Sequence, residues 1–330
     1  MNMTTIKTDR YQQDEVLSAV LSAGSVLLFC HVSPDGDTLG SALALKLRLE
    51  LMGKKVQIMV DGLVPSYLAF LPGAQDVLTP GSALEPYDLA VAVDVASHDR
   101  LGKCEPLFDA AAKTVVVDHH GTNEGYAQLN LIDEDAPATA IVIFRLFEKM
   151  SLSLTTDEAI CLYAALSTDT GNFIYDSTNA ESFAMMSALM TAGLPLADYS
   201  RMLFRQKEEA FVRLLGEALP SLRILANGKV AGLRLSLAQM EKWHANGGHT
   251  EGIVNYAIDL IGVGMAYFAR EVEGGKVKVS LRALKPYAVD KIAASFGGGG
   301  HELAAGLTLC MSLDEAVETI EKALCEVCHE

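Results

Sequence analysis

The chain has 330 residues, a formal net charge of −16 and a hydrophobic share of 50%. That length exceeds one typical core and fits two domains. The acidic balance disfavours a grip on long nucleic acid, because such binding depends on Lys and Arg displacing counterions from the phosphate backbone. A short oligonucleotide or mononucleotide ligand stays open, since a local site can be positive inside an acidic protein.

The chain shows no apolar run of about 18 residues, the length that a membrane-spanning helix needs. Its first residues, MNMTTIKTDRYQQDE, are polar and lack the apolar core of a signal peptide. We therefore expect a cytoplasmic protein without membrane contact.

The first 120 residues alternate between buried-strand patterns and helical patterns. Apolar runs at Ser25–Cys30, Lys55–Val60, Asp88–Val93 and Thr114–Val117 predict strands, and the spacing of Thr38–Met52 predicts a helix. Continuous apolar strands separated by helices are typical of a parallel sheet that is covered on both faces. The sequence thus predicts an α/β fold with a doubly wound parallel sheet.

Helical patterns continue through a capping-box motif, TTDE, at 155–158 and a segment at 180–192. A charged helical stretch at 194–218 follows, then a hairpin pattern, RILANGKVAGLRL, and an alternating strand, KVKVSL. We predict a catalytic domain over residues 1–193, a helical linker over 194–218, and a smaller α/β domain with a mixed sheet over 219–330.

Potential metal ligands follow three of the predicted strands. They occur in HVSPDGD after the first, at Asp94 after the third and in DHH after the fourth, and a further group, STDTGN, follows a helix. Open α/β sheets bind ligands at the carboxyl ends of their strands, so these groups should converge. The predicted set is His31, Asp35, Asp37, Asp94, His119 and Asp169.

Four carboxylates and two imidazoles are too much negative charge to bury unless cations neutralise it. Mixed carboxylate and imidazole ligands favour Mn²⁺, with Co²⁺, Fe²⁺ or Mg²⁺ as alternatives. Six ligands fit two metals about 3.5–4 Å apart, an arrangement used in phosphoryl hydrolysis. We expect Asp35 and Asp37, which flank Gly36, to point the same way from an extended loop.

These motifs together resemble a known family. HVSPDGD, AVDVAS, VVVDHHG and STDTGNF resemble, in order, the four motifs of the DHH phosphoesterase superfamily. VSLRALKPYAVDKIAASFGGGGHELAAG resembles the DHH-associated C-terminal substrate-binding domain, and HTEGIVNYAIDL is similar to a segment of the nanoRNase and pAp-phosphatase branch. The resemblance covers nearly the whole chain.

The resemblance implies a role for each residue of the catalytic domain. His120 would face the substrate phosphate as electrophile or proton donor, and Asp118 would orient the DHH turn. Asp94 would bridge two metals. The implied metal ligands are His31, Asp35 and Asp94 for one ion, and Asp37, Asp94, His119 and Asp169 for the other.

For the C-terminal domain, the resemblance implies that Arg282 and His301 hold a terminal phosphate or the far end of the nucleotide. The glycines before His301 would form a loop that leads into a helix and offers backbone N–H groups to an anion. Asn255 is a weaker candidate. The implied substrate-binding residues are Arg282, Gly298, Gly299, Gly300, His301 and Asn255.

Two departures from the family pattern affect these expectations. The segment ATAI at 138–141 lacks an acidic residue that relatives often carry, and we interpret Thr139 as a helix N-cap. The segment ALKP after Arg282 differs from the usual small polar residues, so we expect a different base or strand preference.

The resemblance implies two-metal activation of a bridging hydroxide. The expected substrates are short oligoribonucleotides, including dinucleotides such as pApA, and 3′-phosphoadenosine 5′-phosphate (pAp). The gap between the domains would select length. The alternatives are a RecJ-type single-strand exonuclease, disfavoured by the acidic charge, and a pyrophosphatase, disfavoured by the C-terminal domain. A non-catalytic nucleotide-binding module would predict eroded ligands. A homodimer is compatible with the sequence.

Overall fold

The computed structural model describes residues 11–150 and 152–328. The chain divides into two compact units, the first ending at Gln206 and the second beginning at Lys207. This division falls inside the stretch 194–218 that the sequence assigned to the linker. Among the described residues, every helix is too short or too polar to cross a membrane.

The first unit contains a parallel five-stranded sheet, which confirms the predicted fold class. Four of its strands match predicted segments, and the fifth, an edge strand, was not predicted because LNLI is short and contains a polar residue. In chain order, the strands are β1 (Ser25–Phe29), β2 (Lys55–Met59), β3 (Leu89–Val93), β4 (Thr114–Asp118) and β5 (Leu129–Ile132). Their spatial order is β2-β1-β3-β4-β5, so the carboxyl ends of β1, β3 and β4 lie side by side.

Helices pack on this sheet and against one another. The capping box predicted at Thr155 is present, since its hydroxyl accepts from the Glu158 backbone and the Glu158 carboxylate accepts in return. The helices of the first unit are α1 (Gln13–Ser22), α2 (Gly36–Leu51), α3 (Glu105–Asp109), α4 (Thr139–Lys149), α5 (Thr156–Asp169), α6 (Ala180–Thr191) and α7 (Leu196–Ser200).

Helices α2 and α5 approach each other closely through two glycines of α2. A Cβ on Gly40 would lie 2.5 Å from the backbone oxygen of Cys161, and a Cβ on Gly36 would overlap the side chain of Thr168. The contact brings the start of α2 beside the end of α5. Asp37 and Asp169, which are far apart in sequence, therefore lie on the same side of the unit.

A buried ion pair joins the other ends of the same two helices. The Arg48 guanidinium lies 2.7 Å from the Glu158 carboxylate, and both side chains are fully buried. Arg48 also donates to the Leu152 carbonyl and stacks on the ring of Phe147. Removing one partner would leave an uncompensated charge in the core, which typically costs about 3–5 kcal/mol.

The stretch at 194–218 is helical only in pieces. A π-helical turn, Arg201–Arg205, continues α7. The backbone then becomes extended at Gln206, and α8 (Glu209–Ala218) begins after Glu208. The predicted helical linker is therefore helical on both sides of an extended segment, at which the two units are divided.

The second unit contains a mixed six-stranded sheet of order β10-β11-β9-β8-β7-β6. The predicted hairpin is confirmed by the antiparallel pairing of its first two strands. The strands are β6 (Arg223–Leu225), β7 (Val230–Leu235), β8 (Met265–Val272), β9 (Lys276–Ala283), β10 (Gly299–His301) and β11 (Ala304–Leu309), and the helices after α8 are α9 (Leu237–Lys242), α10 (Asn255–Ile258), α11 (Asp290–Ser295) and α12 (Leu313–Val327).

The glycine-rich run does not lead into a helix, contrary to the sequence expectation. Gly299–His301 pairs with Ala304–Gly306 as an antiparallel hairpin. A Cβ on Gly300 would lie 2.5 Å from the Ala304 oxygen, and one on Gly298 would overlap the Gly306 oxygen. The alternation in LAAGLTL has a period of two, which is the strand signal that the predicted helix overlooked.

We predict that Gly40→Ala destabilises the first unit by about 1–3 kcal/mol, because the added methyl group meets backbone atoms of α5 that cannot rotate away. Scanning calorimetry should show a melting temperature lower by several degrees. Gly216→Ala in α8 is the control, since its Cβ would meet nothing within 4 Å. A Gly40→Ala protein that melts like the parent would contradict the packing argument.

Candidate metal centre

Asp94 lies at the middle of the sheet edge, directly after β3. Its backbone has a positive φ of 60°, which is uncommon for a residue other than glycine. Its N–H donates to the Val117 carbonyl of the neighbouring strand, which holds this conformation. Only 2% of the Asp94 side chain is exposed. Strained backbone at such a position is a frequent mark of a functional site.

One oxygen of Asp94 belongs to a first group of ligand atoms. His31 Nε2 lies 3.8 Å from Asp94 Oδ2 and 3.5 Å from Asp35 Oδ2. The His31 Nδ1 lies 2.8 Å from the Val32 carbonyl, so its Nε2 is the nitrogen turned toward the carboxylates. These three side chains could hold one metal ion.

Asp35 and Asp37 do not lie in an extended loop, contrary to the sequence expectation. Asp35 is the N-cap of α2, and its Oδ1 accepts hydrogen bonds from the backbone N–H groups of Asp37 and Thr38. Asp37 already lies in the first helical turn. The two carboxylates therefore point in different directions, each toward a different group of ligand atoms.

A second group forms around His119. Its Nε2 lies 3.1 Å from Asp169 Oδ2, 3.8 Å from Asp37 Oδ2 and 3.6 Å from Asp94 Oδ1. The two oxygens of Asp94 thus face different groups, which is the geometry of a bridging carboxylate. The structure brings the six predicted ligands together, and Asp94, His119 and His120 form a further group of potential ligands.

Thr139 at the start of α4 contacts both central carboxylates. Its hydroxyl donates to Asp94 Oδ1 at 2.8 Å, and its N–H donates to Asp37 Oδ2 at 2.6 Å. The N–H of Ala140 reaches the other oxygen of Asp37 at 3.1 Å. The N-cap of α4 is Ala138, so the interpretation of Thr139 as the cap is wrong. Its hydroxyl instead fixes the orientation of Asp94.

The electrostatics of these carboxylates fit a cation site. Burial, followed by the negative charge of neighbouring carboxylates, raises the pKa of Asp37 and of Asp94 well above the usual range. Burial lowers the pKa of His119, but its hydrogen bond to Asp169 and the charge of Asp37 outweigh that effect and raise it to about 9. Divalent cations would remove this repulsion, and the carboxylate and imidazole groups could hold them.

Both adjacent histidines of the DHH turn lie near Asp94 Oδ1, at 3.6 Å and 3.5 Å, but their Nδ1 atoms have different hydrogen-bond partners. His119 Nδ1 lies 3.1 Å from the Ala136 carbonyl, whereas His120 Nδ1 lies 2.8 Å from Asp118 Oδ1. Asp118 also accepts from the backbone N–H groups of both histidines. Burial raises the pKa of Asp118, but the His120 hydrogen bond and charge outweigh that effect and lower it.

Sequence reasoning missed several residues around this centre. Asn123 donates to Asp118 Oδ2 at 2.6 Å and to the Val95 carbonyl, which ties the DHH turn to the loop after β3. Arg100 Nη2 lies 3.0 Å from His31 Nδ1. Neither residue stands out in the sequence, since a turn asparagine and a single arginine are common in proteins.

The predicted substrate-binding residues lie in the second unit. Arg282 is on β9, in the same cross-strand row as Ala304, which pairs with His301 of β10. The backbone of the glycine run therefore lies two strands from Arg282. Asn255 is exposed at the start of α10. These residues form no part of the metal-ligand groups found among the described residues.

Two family models match this arrangement of units. The DHH family, N-terminal domain, matches residues 25–166, and the DHHA1 domain matches residues 227–330. Relatives that align over nearly the full length support both matches. The chain belongs to the DHH family, in the form that carries a DHHA1 domain.

Within this family, the chain is similar to bifunctional oligoribonucleases and PAP phosphatases called NrnA. It is 31% identical to the Thermus thermophilus protein over 94% of this chain and 92% of the relative. It is 24% identical to the Bacillus subtilis protein over 92% of this chain and 94% of that relative. An exopolyphosphatase-related protein from Bacteroides fragilis superposes with a TM-score of 0.90 at 27% identity, covering 96% of this chain and 97% of that structure. The predicted resemblance is confirmed.

We predict that Thr139→Val lowers Mn²⁺ affinity by about 10- to 100-fold, because valine keeps the size of the side chain but cannot orient the Asp94 carboxylate. Isothermal titration with MnCl₂ measures the change. Thr139→Ser keeps the hydroxyl and should bind Mn²⁺ nearly as the parent does. Equal affinity of the valine variant and the parent would show that this hydrogen bond does not matter for the centre.

Proposed function

We propose that the protein is a Mn²⁺-dependent phosphoesterase that hydrolyses short oligoribonucleotides and pAp. The observation that carries this proposal is the pair of ligand groups that share Asp94, with one oxygen facing each group. Two divalent ions, if held by these groups, would stabilise the charge on the attacking and leaving oxygens of a phosphoryl displacement.

The two ions would be held by the residues of the two groups. Bound Mn²⁺ would lower the pKa of water at the centre and compensate the charge that develops on the phosphoryl oxygens. We assign His31, Asp35 and Asp94 to one ion, and Asp37, His119 and Asp169 to the other, with Asp94 shared because its Oδ1 lies 3.6 Å from His119 Nε2.

We assign His120 to the substrate phosphate. Its side chain is 34% exposed, twice the 16% of His119, so it is the more accessible of the two rings. Asp118 would hold the ring through Nδ1, with Nε2 directed to the phosphate. A ring oriented in this way can donate a hydrogen bond to a phosphoryl oxygen or a proton to the leaving group.

Two observations support small substrates. The relatives in Thermus thermophilus and Bacillus subtilis are named for oligoribonuclease and PAP phosphatase activity. The net charge of −16 opposes binding along a long phosphate backbone. We therefore propose that the substrates are dinucleotides such as pApA, oligonucleotides of a few residues and pAp, rather than long RNA.

The test is incubation of the protein with Mn²⁺ and, separately, a labelled dinucleotide, a 24-mer and pAp. We expect hydrolysis of the dinucleotide and of pAp, with little cleavage of the 24-mer. Chelation of the metal should abolish the reaction. If neither small substrate is hydrolysed, the proposal fails, and preferential cleavage of the 24-mer would favour a RecJ-type exonuclease.

Replacement of the two adjacent histidines should have different effects. His119→Ala should lose metal and nearly all activity, since it removes a ligand from the second group. His120→Ala should keep its metal and lose about 100- to 10,000-fold in kcat, the usual contribution of a positioned proton donor. Metal analysis and steady-state kinetics measure both. A His119→Ala protein that retains full Mn²⁺ stoichiometry would refute the ligand assignment.

Arg282→Ala should chiefly raise KM, because this residue lies in the second unit, outside the metal-ligand groups. Metal content and kcat should stay near those of the parent. An unchanged KM for both dinucleotide and pAp would show that Arg282 does not bind substrate.

A further inference from the structure

A polar pocket lies on one face of the sheet in the second unit. The register pairs Phe268 of β8 with Ser280 of β9. Arg270 lies two residues from Phe268 toward one end of this strand pair, and Arg282 lies two residues from Ser280 toward the other end, so the two arginines flank the pair on the same face. Where β7 and β8 meet α8 and α10, this face is covered by an apolar cluster. Toward β9 and β11 the cover ends, and the alternate residues of both strands become accessible.

The pocket has a volume of about 240 Å³, below the range of roughly 300–1,000 Å³ that is typical of sites for drug-sized ligands. It therefore suits a small group rather than a whole nucleotide. The residues that would contact such a group are Thr250, Phe268, Arg270, Ser280 and Arg282.

The arginines of this pocket differ from the other arginines of the unit. Arg213, Arg223 and Arg234 each form an ion pair with a carboxylate. Among the described residues, no carboxylate lies within ion-pairing distance of Arg270 or Arg282. Glu251 also lines the pocket, but it forms no ion pair with either of them.

Arg270 is also partly removed from water. Burial lowers the pKa of its guanidinium, which means that its charge is poorly solvated where it lies. A desolvated charge without a partner is unfavourable, and a bound anion would compensate it. Two guanidinium groups in one pocket can together match a doubly charged phosphate, since each offers a planar fork of donors.

Gly247 makes room for the Arg270 side chain. A Cβ at this position would lie 2.6 Å from Arg270 Nη2. The backbone of Gly247 is outside the positive-φ region, so its conformation does not require glycine. An added Cβ would displace the guanidinium, which is the flexible end of the arginine side chain. The observed position of the Arg270 guanidinium is therefore compatible with glycine at position 247 but not with alanine.

We infer that Arg270 acts with Arg282 to bind a terminal phosphomonoester of the substrate, other than the phosphate that is hydrolysed. The family resemblance assigned Arg282 and the glycine run, and it gave no role to Arg270 or Gly247. This inference rests on the proposed function for the nature of the substrate. It implies that the enzyme prefers a dinucleotide that carries a terminal phosphate, pApA, over ApA, which lacks one.

The first experiment measures binding to the full chain without Mn²⁺, by calorimetry with AMP, adenosine and inorganic phosphate. AMP should bind more tightly than adenosine. The Arg270→Ala substitution should lower the affinity for AMP by about 10- to 100-fold and leave the affinity for adenosine unchanged. Lys276→Ala is the control, because it removes one positive charge from β9 outside the pocket. Inorganic phosphate that binds as tightly as AMP would assign the pocket to free phosphate and overturn the inference.

Gly247→Ala provides a second variant that keeps every charged group. Like Arg270→Ala, it should lower the affinity for AMP, because the added methyl group displaces the Arg270 guanidinium. Gly216→Ala should have no effect on AMP binding. If Arg270→Ala and Gly247→Ala both bind AMP as tightly as the parent does, the inference is refuted. If Arg270→Ala does not fold, Arg270→Lys and Gly247→Ala decide it.

The second experiment compares the hydrolysis of pApA and ApA in the presence of Mn²⁺. In Arg270→Ala, KM for pApA should rise about 10- to 100-fold toward that for ApA, with kcat unchanged. A preference for pApA that survives in this variant would contradict the role of Arg270. If the parent hydrolyses neither dinucleotide, the proposed function fails, and the binding experiment still tests the pocket.

Discussion

The structure of the first unit depends on the burial of two carboxylates, Asp37 and Asp94, at the carboxyl edge of a parallel sheet. The N-terminal N–H groups of α4 donate to Asp37, and the Thr139 hydroxyl donates to Asp94. These donors offset part of the desolvation cost, since charge-assisted hydrogen bonds are among the stronger ones. They leave a net negative charge, which cations would neutralise. These contacts hold the carboxylates in place, and the negative charge that they leave uncompensated would attract a metal ion.

Close backbone packing delivers the ligands to this edge. Gly40 lets α2 approach α5, which places Asp37 near Asp169. The positive φ of Asp94 turns its carboxylate so that its two oxygens face different partners. The close helix approach tolerates no side chain at position 40, and the positive φ of Asp94 is an unfavourable backbone conformation. The surrounding core holds both in place. The candidate centre is thus built on helices and strands, which is what precise placement of metal ligands requires.

Each unit contains buried or partly buried charged side chains that its own residues do not fully neutralise, negative in the first unit and positive in the second. The first buries carboxylates beyond what its own donors compensate, and the second partly buries Arg270 and Arg282 without a carboxylate partner. Each unit would be stabilised by a ligand of the opposite charge, a metal ion in one and a phosphate in the other. An acidic protein can bind small phosphorylated substrates in this way, because local sites, rather than net charge, determine the contact.

The sequence by itself determined the parallel sheet, the six potential metal ligands and the family. Strand periodicity and the motifs after each strand are local signals, and parallel strands necessarily bring their carboxyl ends to one edge. Only the tertiary structure decided which atoms meet: that Asp35 caps α2, that Thr139 contacts Asp94, and that the glycine run forms a hairpin. It also placed Arg270 and Arg282 around the same pocket. These contacts depend on helix packing and strand register between distant segments, which a linear pattern does not encode.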